Sequence, residues 1–103
     1  MVVFMSHSSD RVFIFNSNKS CFSSAVFSSF PLANIWIERN ALSGVLTEYP
    51  LNQGSYDWAV EQGYFKVKSP IDRAPVFIGS FISTYQKRWY FIDGEVLQET
   101  VDQ

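Results

Sequence analysis

The chain is poor in the residues that build metal sites and nucleophilic sites. Its 103 residues include one histidine, His7, and one cysteine, Cys21. A structural zinc site needs about four Cys or His ligands, and a Ser-His-Asp triad would have to use His7 in a terminal segment. The sequence therefore predicts no metal site, no cofactor and no catalytic residues.

Other absences limit where the protein works and what it binds. A single cysteine excludes an internal disulfide, which favours a reducing compartment. None of the five glycines belongs to a GxGxxG or GK[ST] phosphate-binding pattern. The apolar run at residues 2–5 is too short for a signal peptide or a membrane span. We expect a cytoplasmic protein with no membrane partner.

Charge is also scarce, whereas aromatic residues are abundant. Charged residues make up 17% of the chain and sum to −2, which argues against nucleic acid as the partner, because phosphate binding needs clustered Lys and Arg. Aromatic residues make up another 17%, and they favour strands and bury large areas. We expect one domain, 1–103, with a core of rings. Its ends at 1–10 and 95–103 could be loosely ordered, and residues 95–103 could instead add a short strand.

The first part of the chain predicts two strands and a helix. Residues 11–16 (RVFIFN) and 21–27 (CFSSAVF) are rich in β-branched and aromatic residues and flank a polar turn. A helix is expected to follow, because the hydroxyl of Ser28 or Ser29 can cap it and Pro31 falls in its first turn.

The second part predicts a strand, a short helix and two more strands. Residues 45–49 (VLTEY) alternate in polarity until Pro50 ends the strand. A helix is expected over 55–63, and strands over 76–83 (VFIGSFIS) and 88–93 (RWYFID). Asp93 and Gly94 are expected to form a turn. This order predicts an α+β fold: a mostly antiparallel sheet of four to six strands with two short helices on one face.

The stretch LSGVLTEYPLNQGSYDWAVEQGYF, residues 42–65, resembles a family of small bacterial proteins known only as a domain of unknown function. Weaker similarity extends back through VFIFNSNKSCFSSAVFSS and forward through PVFIGSFISTYQKRWYFIDG, so the resemblance covers about residues 11–94. The resemblance implies a compact α+β domain and implies no activity, cofactor or catalytic residue.

The same stretch predicts a contact surface. We expect an acidic, aromatic surface formed by Glu48, Tyr49, Tyr56, Asp57 and Trp58, since Tyr and Trp anchor many interfaces. Small size, acidic balance and the lack of a catalytic set favour a non-enzymatic protein-binding module. In its specific form this is an immunity or antitoxin-type protein that neutralises a toxin domain.

Two alternatives stay open on the sequence alone. Segment 85–90 interleaves basic residues with rings, as single-stranded nucleic-acid binders do, and it could also hold a small ligand. Glu48, Asp57 and Glu61 could serve as acid and base in a small enzyme, which would require at least two of them in one pocket.

Overall fold

A computed structural model describes residues 10–100 of the protein, with side chains as far as Leu97. The strands of this region are β1 (Arg11–Ser17), β2 (Ser23–Phe27), β3 (Gly44–Pro50), β4 (Arg88–Ile92) and β5 (Glu95–Thr100). The helices are α1 (Phe30–Arg39), α2 (Ser55–Gln62) and α3 (Pro75–Gly79), with a 3-10 helix at Pro70–Arg73. His7 lies outside the described residues.

The strands form one antiparallel sheet in the order β2-β1-β3-β4-β5. β1 and β3 pair over their whole lengths, from Arg11 opposite Pro50 to Ser17 opposite Gly44. The five strands confirm the expected α+β fold and the expected antiparallel sheet. The tail beyond residue 94, for which the sequence leaves a short strand or a frayed end open, contributes the edge strand β5. The expectation for the N-terminal end falls mostly on residues 1–9, which lie outside the described residues.

Helix α1 covers one face of the sheet. Ser29 caps it, with its Oγ accepting a hydrogen bond from the Leu32 amide at 3.4 Å, and Pro31 lies in its first turn. One turn apart, Ala33 and Ile37 are fully buried against the sheet. The resulting core cluster consists of Phe15, Ala33, Ile37, Leu46 and Phe91. The N-terminal signals read from the sequence therefore give the right start for this helix.

The opposite side of the sheet carries apolar residues that α1 does not cover. Register places these residues together, because partners across an antiparallel ladder point to the same side. We call this side the open face, and its apolar members are Val12, Ile14, Val26, Val45, Tyr49, Tyr90, Ile92 and Leu97.

Residues 76–83 do not form the strand expected from their β-branched and aromatic composition. The segment begins as α3, with Pro75 in its first turn, and continues as an irregular loop. Phe77 and Phe81 both reach the ring of Tyr56, with centroids 6.1 and 5.5 Å away. One ring comes from α3 and the other from the loop after it, and their packing against Tyr56 outweighs the strand propensity.

Three smaller features of the fold concern a turn, the cysteine and the helix lengths. Asp93 and Gly94 form the tight turn expected from their pairing, with φ values of 51° and 89°, as a type I′ hairpin requires. Cys21 is exposed between β1 and β2. Within residues 10–100, no helix is both long enough and apolar enough to span a bilayer.

Candidate functional site

A cleft of about 260 Å³ opens at one end of the sheet, on the side that α1 covers. Three parts of the chain form it: the paired ends of β1 and β3, helix α2 with the turn after it, and the segment that leads into β4. We call it the aromatic cleft, and its lining residues are Arg11, Glu48, Pro50, Trp58, Tyr64, Tyr85, Gln86 and Lys87.

Three rings form a continuous wall of the cleft. Tyr64 and Tyr85 stack with centroids 4.2 Å apart and an interplanar angle of 14°. Trp58 meets Tyr64 edge to face, with centroids 5.4 Å apart. Trp58 is 9% exposed, whereas the two tyrosines are 45% and 38% exposed. The wall therefore has a buried base and two accessible rings.

Helix α2 places two of these rings. Its first turn is closed by the Trp58 amide, which donates to the Gly54 carbonyl at 2.9 Å. Its end is set by Gly63, whose left-handed φ of 83° reverses the chain. The Tyr64 amide then donates back to the Ala59 carbonyl at 2.8 Å. This reversal returns the Tyr64 ring to the side of Trp58.

A hydrogen-bonded turn places the third ring. The buried side chain of Gln86 donates to the Glu48 carbonyl at 3.1 Å and accepts from the Ser83 amide at 2.9 Å. The Tyr85 amide donates to the Ser83 hydroxyl at 3.0 Å, and the Arg88 guanidinium donates to the Ser83 carbonyl at 2.8 Å. These bonds, together with the Glu48 amide that donates to the Lys87 carbonyl at 3.0 Å, hold Tyr85 in place ahead of β4.

Two of the three charged side chains in the cleft pair with each other, and the third does not pair with a described residue. Arg11 Nε lies 3.6 Å from Glu48 Oε2, and the guanidinium carbon of Arg11 lies 5.9 Å from the Trp58 ring centre. Lys87 is exposed, and its ammonium has no hydrogen bond or ion pair with the described residues. The lining thus carries two cations and one carboxylate, and the carboxylate already faces Arg11.

The indole N–H of Trp58 is a hydrogen-bond donor without an acceptor among the described residues. Its Nε1 atom is buried. Buried indole N–H groups usually have a partner, since an unpaired buried donor costs about 1–3 kcal/mol. The base of the aromatic wall is therefore less well satisfied than the rest of the core.

The five residues expected to form a contact surface are spread over several places. Glu48 and Trp58 line the aromatic cleft together. Tyr49 lies opposite Val12 on the open face. Tyr56 is 8% exposed, and its hydroxyl donates to a backbone carbonyl at 2.8 Å, so it belongs to a ring cluster under α3. Asp57 is exposed in the first turn of α2.

Sequence reasoning missed most of the lining. Sequence reasoning named Tyr85 and Lys87 only within segment 85–90. Arg11 and Tyr64 are distant from that segment along the chain, and they join it through the β1–β3 pairing and the Gly63 reversal. No local pattern indicates that these residues share a site. The lining of the cleft itself includes two basic side chains, Arg11 and Lys87, and one carboxylate, Glu48.

The carboxylates needed for acid–base catalysis do not converge in this cleft. Glu48 lines it, whereas Asp57 and Glu61 are not among its lining residues. Glu61 instead accepts a hydrogen bond from the Gln53 amide group at 2.8 Å. Among residues 10–97, no three His, Cys, Asp or Glu side chains group closely enough to hold a metal ion.

The rings of segment 85–90 point to different sides of the molecule. Tyr85 lies in the aromatic cleft. Trp89 packs between Phe13 and Phe30, with centroids 5.8 and 4.9 Å away. Tyr90 is 42% exposed on the open face. The segment therefore lacks the row of accessible rings on which successive bases stack.

Comparison with known proteins assigns the chain to a family whose description gives no function. A family model described as Domain of unknown function (DUF7710) matches residues 12–97, and the chain belongs to this family. The match confirms the resemblance to an uncharacterised domain family, and it spans the sheet and the aromatic cleft. No curated protein and no solved structure shows significant similarity to the chain.

Proposed function

We propose that this member of the DUF7710 family is a non-enzymatic protein-binding module whose aromatic cleft receives one side chain of a partner protein. The observation that carries the proposal is the wall of Trp58, Tyr64 and Tyr85 around a space of about 260 Å³. Pockets for small molecules usually enclose roughly 300–1,000 Å³. A smaller, half-open cleft suits a single anchoring side chain.

The two accessible tyrosines are suited to recognition. Tyr and Trp dominate the energetics of many interfaces because they offer a large contact area for few rotatable bonds. Tyr64 and Tyr85 are already stacked on each other in the free protein. Binding would therefore immobilise little that is not already fixed, which lowers the entropic cost of association.

The charge of the lining indicates what the anchor carries. The carboxylate of Glu48 faces Arg11, whereas the ammonium of Lys87 has no partner among the described residues. A partner carboxylate from Asp or Glu would complement Lys87 while its side chain packs against the tyrosine rings. We infer that the anchor residue of the partner is acidic. The acidic surface expected from the sequence would instead attract a basic residue.

The specific form of the proposal is an immunity or antitoxin-type protein whose partner is a toxin domain. Its support is the net charge of −2. A negative protein associates faster with a basic toxin domain through long-range attraction. The contact at Lys87 would then fix the orientation of the complex at short range.

Affinity capture with paired variants tests the module. The wild-type chain should recover one stoichiometric partner from its native cell, and Lys87→Glu should weaken binding of that partner by about tenfold or more. Lys19→Glu makes the same charge change at an exposed position between β1 and β2, and it should bind within about twofold of wild type.

Two results would count against the proposal. One is recovery of background proteins alone at several salt concentrations. The other is a partner that Lys87→Glu and Lys19→Glu bind equally well, because the contact would then lie outside the aromatic cleft. Identification of the recovered partner decides separately whether it is a toxin domain.

A further inference from the structure

The open face departs from the usual pattern of a half-exposed antiparallel sheet. Such a sheet buries one face and turns polar residues to water on the other. Here Val26 and Leu97 are each 62% exposed, Ile92 is 50% exposed and Tyr90 is 42% exposed. A contiguous apolar surface of this kind marks an interaction site.

The centre of the open face is uncharged. The positions of this face on the three inner strands are Val12, Ile14, Asn16, Val45, Thr47, Tyr49, Tyr90 and, at the two ends of β4, Arg88 and Ile92. On the edge strand β5, Glu95 lies opposite Ile92 at the margin of the same face. At its margin, Arg88 directs its guanidinium to the carbonyls of Ser83 and Gln86, at 2.8 and 3.3 Å. A charged partner would find no opposite charge at the centre of this surface.

The open face is not flat. A hollow of about 350 Å³ lies beside the irregularity in the pairing of β4 with β5. Asn16, Val45, Tyr90, Ile92 and Leu97 contribute to its lining. Val26, on the edge strand at the other side of the sheet, stands 62% exposed. The surface thus offers a recess on one side and an exposed apolar side chain on the other.

We propose that the open face binds the open face of a second copy of this chain, as a two-fold symmetric sheet-on-sheet dimer. In a two-fold interface the same patch meets itself, so a charged patch would repel its own copy. The uncharged centre avoids that repulsion. Two antiparallel sheets pack in this way at about 10 Å, with side chains from both faces interdigitating.

The size of the face is sufficient for such a contact. Five strands spaced about 4.8 Å apart and about six residues long give a footprint of roughly 500 Å² per copy. Two copies would bury roughly 1,000 Å², which is the lower bound for a specific protein interface. An interface of this size would stay in equilibrium with the monomer, so its occupancy would depend on concentration.

The dimer is independent of the proposed function. The aromatic cleft lies on the α1 side of the sheet, and the open face lies on the other. Sheet-on-sheet docking would therefore leave both clefts of a dimer accessible. A failure of partner capture would not remove the dimer, and a failure of dimerisation would not remove the cleft.

Sedimentation analysis of the full chain tests the proposal. The wild-type protein should approach twice its chain mass of 11.8 kDa as concentration rises. Val26→Lys and Leu97→Lys should each shift the equilibrium toward monomer by at least tenfold, since each buries a charge in the interface. Both positions are exposed in the single chain, so circular dichroism should show an unchanged fold.

The matched control is Val76→Lys, which places a lysine at a 79% exposed position in α3, outside the sheet. It should dimerise like wild type. A protein that stays monomeric up to roughly 1 mM would overturn the proposal, as would a dimer that Val26→Lys and Leu97→Lys leave intact. A wild-type monomer that dimerises when residues 1–9 are deleted would assign the face to that segment and also overturn it.

Discussion

The ring of Tyr64 lies flat against the ring of Tyr85, with centroids 4.2 Å apart. This stack joins the turn after α2 to the segment before β4, two parts of the chain that have no strand pairing with each other. It closes the aromatic wall of the cleft. The stack should therefore contribute to stability as well as to recognition.

A double-mutant cycle measures that contribution. Tyr64→Leu and Tyr85→Leu should show a coupling of about 0.5–1.5 kcal/mol in the free energy of unfolding, the usual value for an aromatic pair. Tyr64→Leu with Tyr90→Leu is the control, because Tyr90 lies on the open face, and this cycle should give a coupling below about 0.5 kcal/mol. Equal couplings in the two cycles would show that the stack is energetically silent.

The buried centre of the sheet should dominate stability. Leu46→Ala removes a side chain with 0% exposure, and the loss of buried contacts together with the cavity should cost about 2–5 kcal/mol. Leu32→Ala, at a 54% exposed position in α1, should cost less than about 1 kcal/mol. Urea unfolding of both variants measures the difference. Similar unfolding midpoints would show that Leu46 is not part of the stabilising core.

Gly44 should be intolerant of any side chain. A Cβ there would collide with the carbonyl oxygen of Asn16 and lie 2.8 Å from the Phe15 ring, so the β1–β3 pairing would have to separate. Gly44→Ala should cost more than about 2 kcal/mol. Gly79→Ala meets nothing within 4 Å and should stay within about 1 kcal/mol of wild type. Thermal unfolding that ranks the two variants in the opposite order would contradict this geometry.

The start of α1 should depend on one hydroxyl. Ser29→Ala removes the oxygen that accepts from the Leu32 amide, and it should cost about 1 kcal/mol. Ser28→Ala is the neighbouring control, at an exposed position outside the helix, and should change stability by less than about 0.5 kcal/mol. Chemical denaturation that shows equal losses would mean that Ser29 does not act as the cap.

Local chemistry made part of this fold predictable. Ser29 and Pro31 start α1 where capping and proline geometry predict, and Gly63 ends α2 with a left-handed φ. Asp93 and Gly94 turn the last hairpin. Each of these signals acts within a few residues, so the sequence displays it directly.

The strand that was wrongly predicted over 76–83 and the lining residues of the aromatic cleft that were not predicted have a common cause. Segment 76–83 has the composition of a strand, but its Phe77 and Phe81 pack against Tyr56, which lies in α2. The aromatic cleft likewise depends on Tyr64 and Tyr85 meeting across the fold. Contacts between distant segments override local propensity, and a single sequence does not show which segments meet.

The most direct test uses two tyrosines of similar exposure on opposite sides of the sheet. Tyr85 is 38% exposed in the aromatic cleft, and Tyr90 is 42% exposed on the open face. Native mass spectrometry of the captured complex reports bound partner and self-association in one spectrum. We expect Tyr85→Ser to bind the partner with about tenfold lower affinity, whereas Tyr90→Ser should bind it as the wild type does. Retention of the partner by Tyr85→Ser at the wild-type level would contradict recognition through the aromatic cleft.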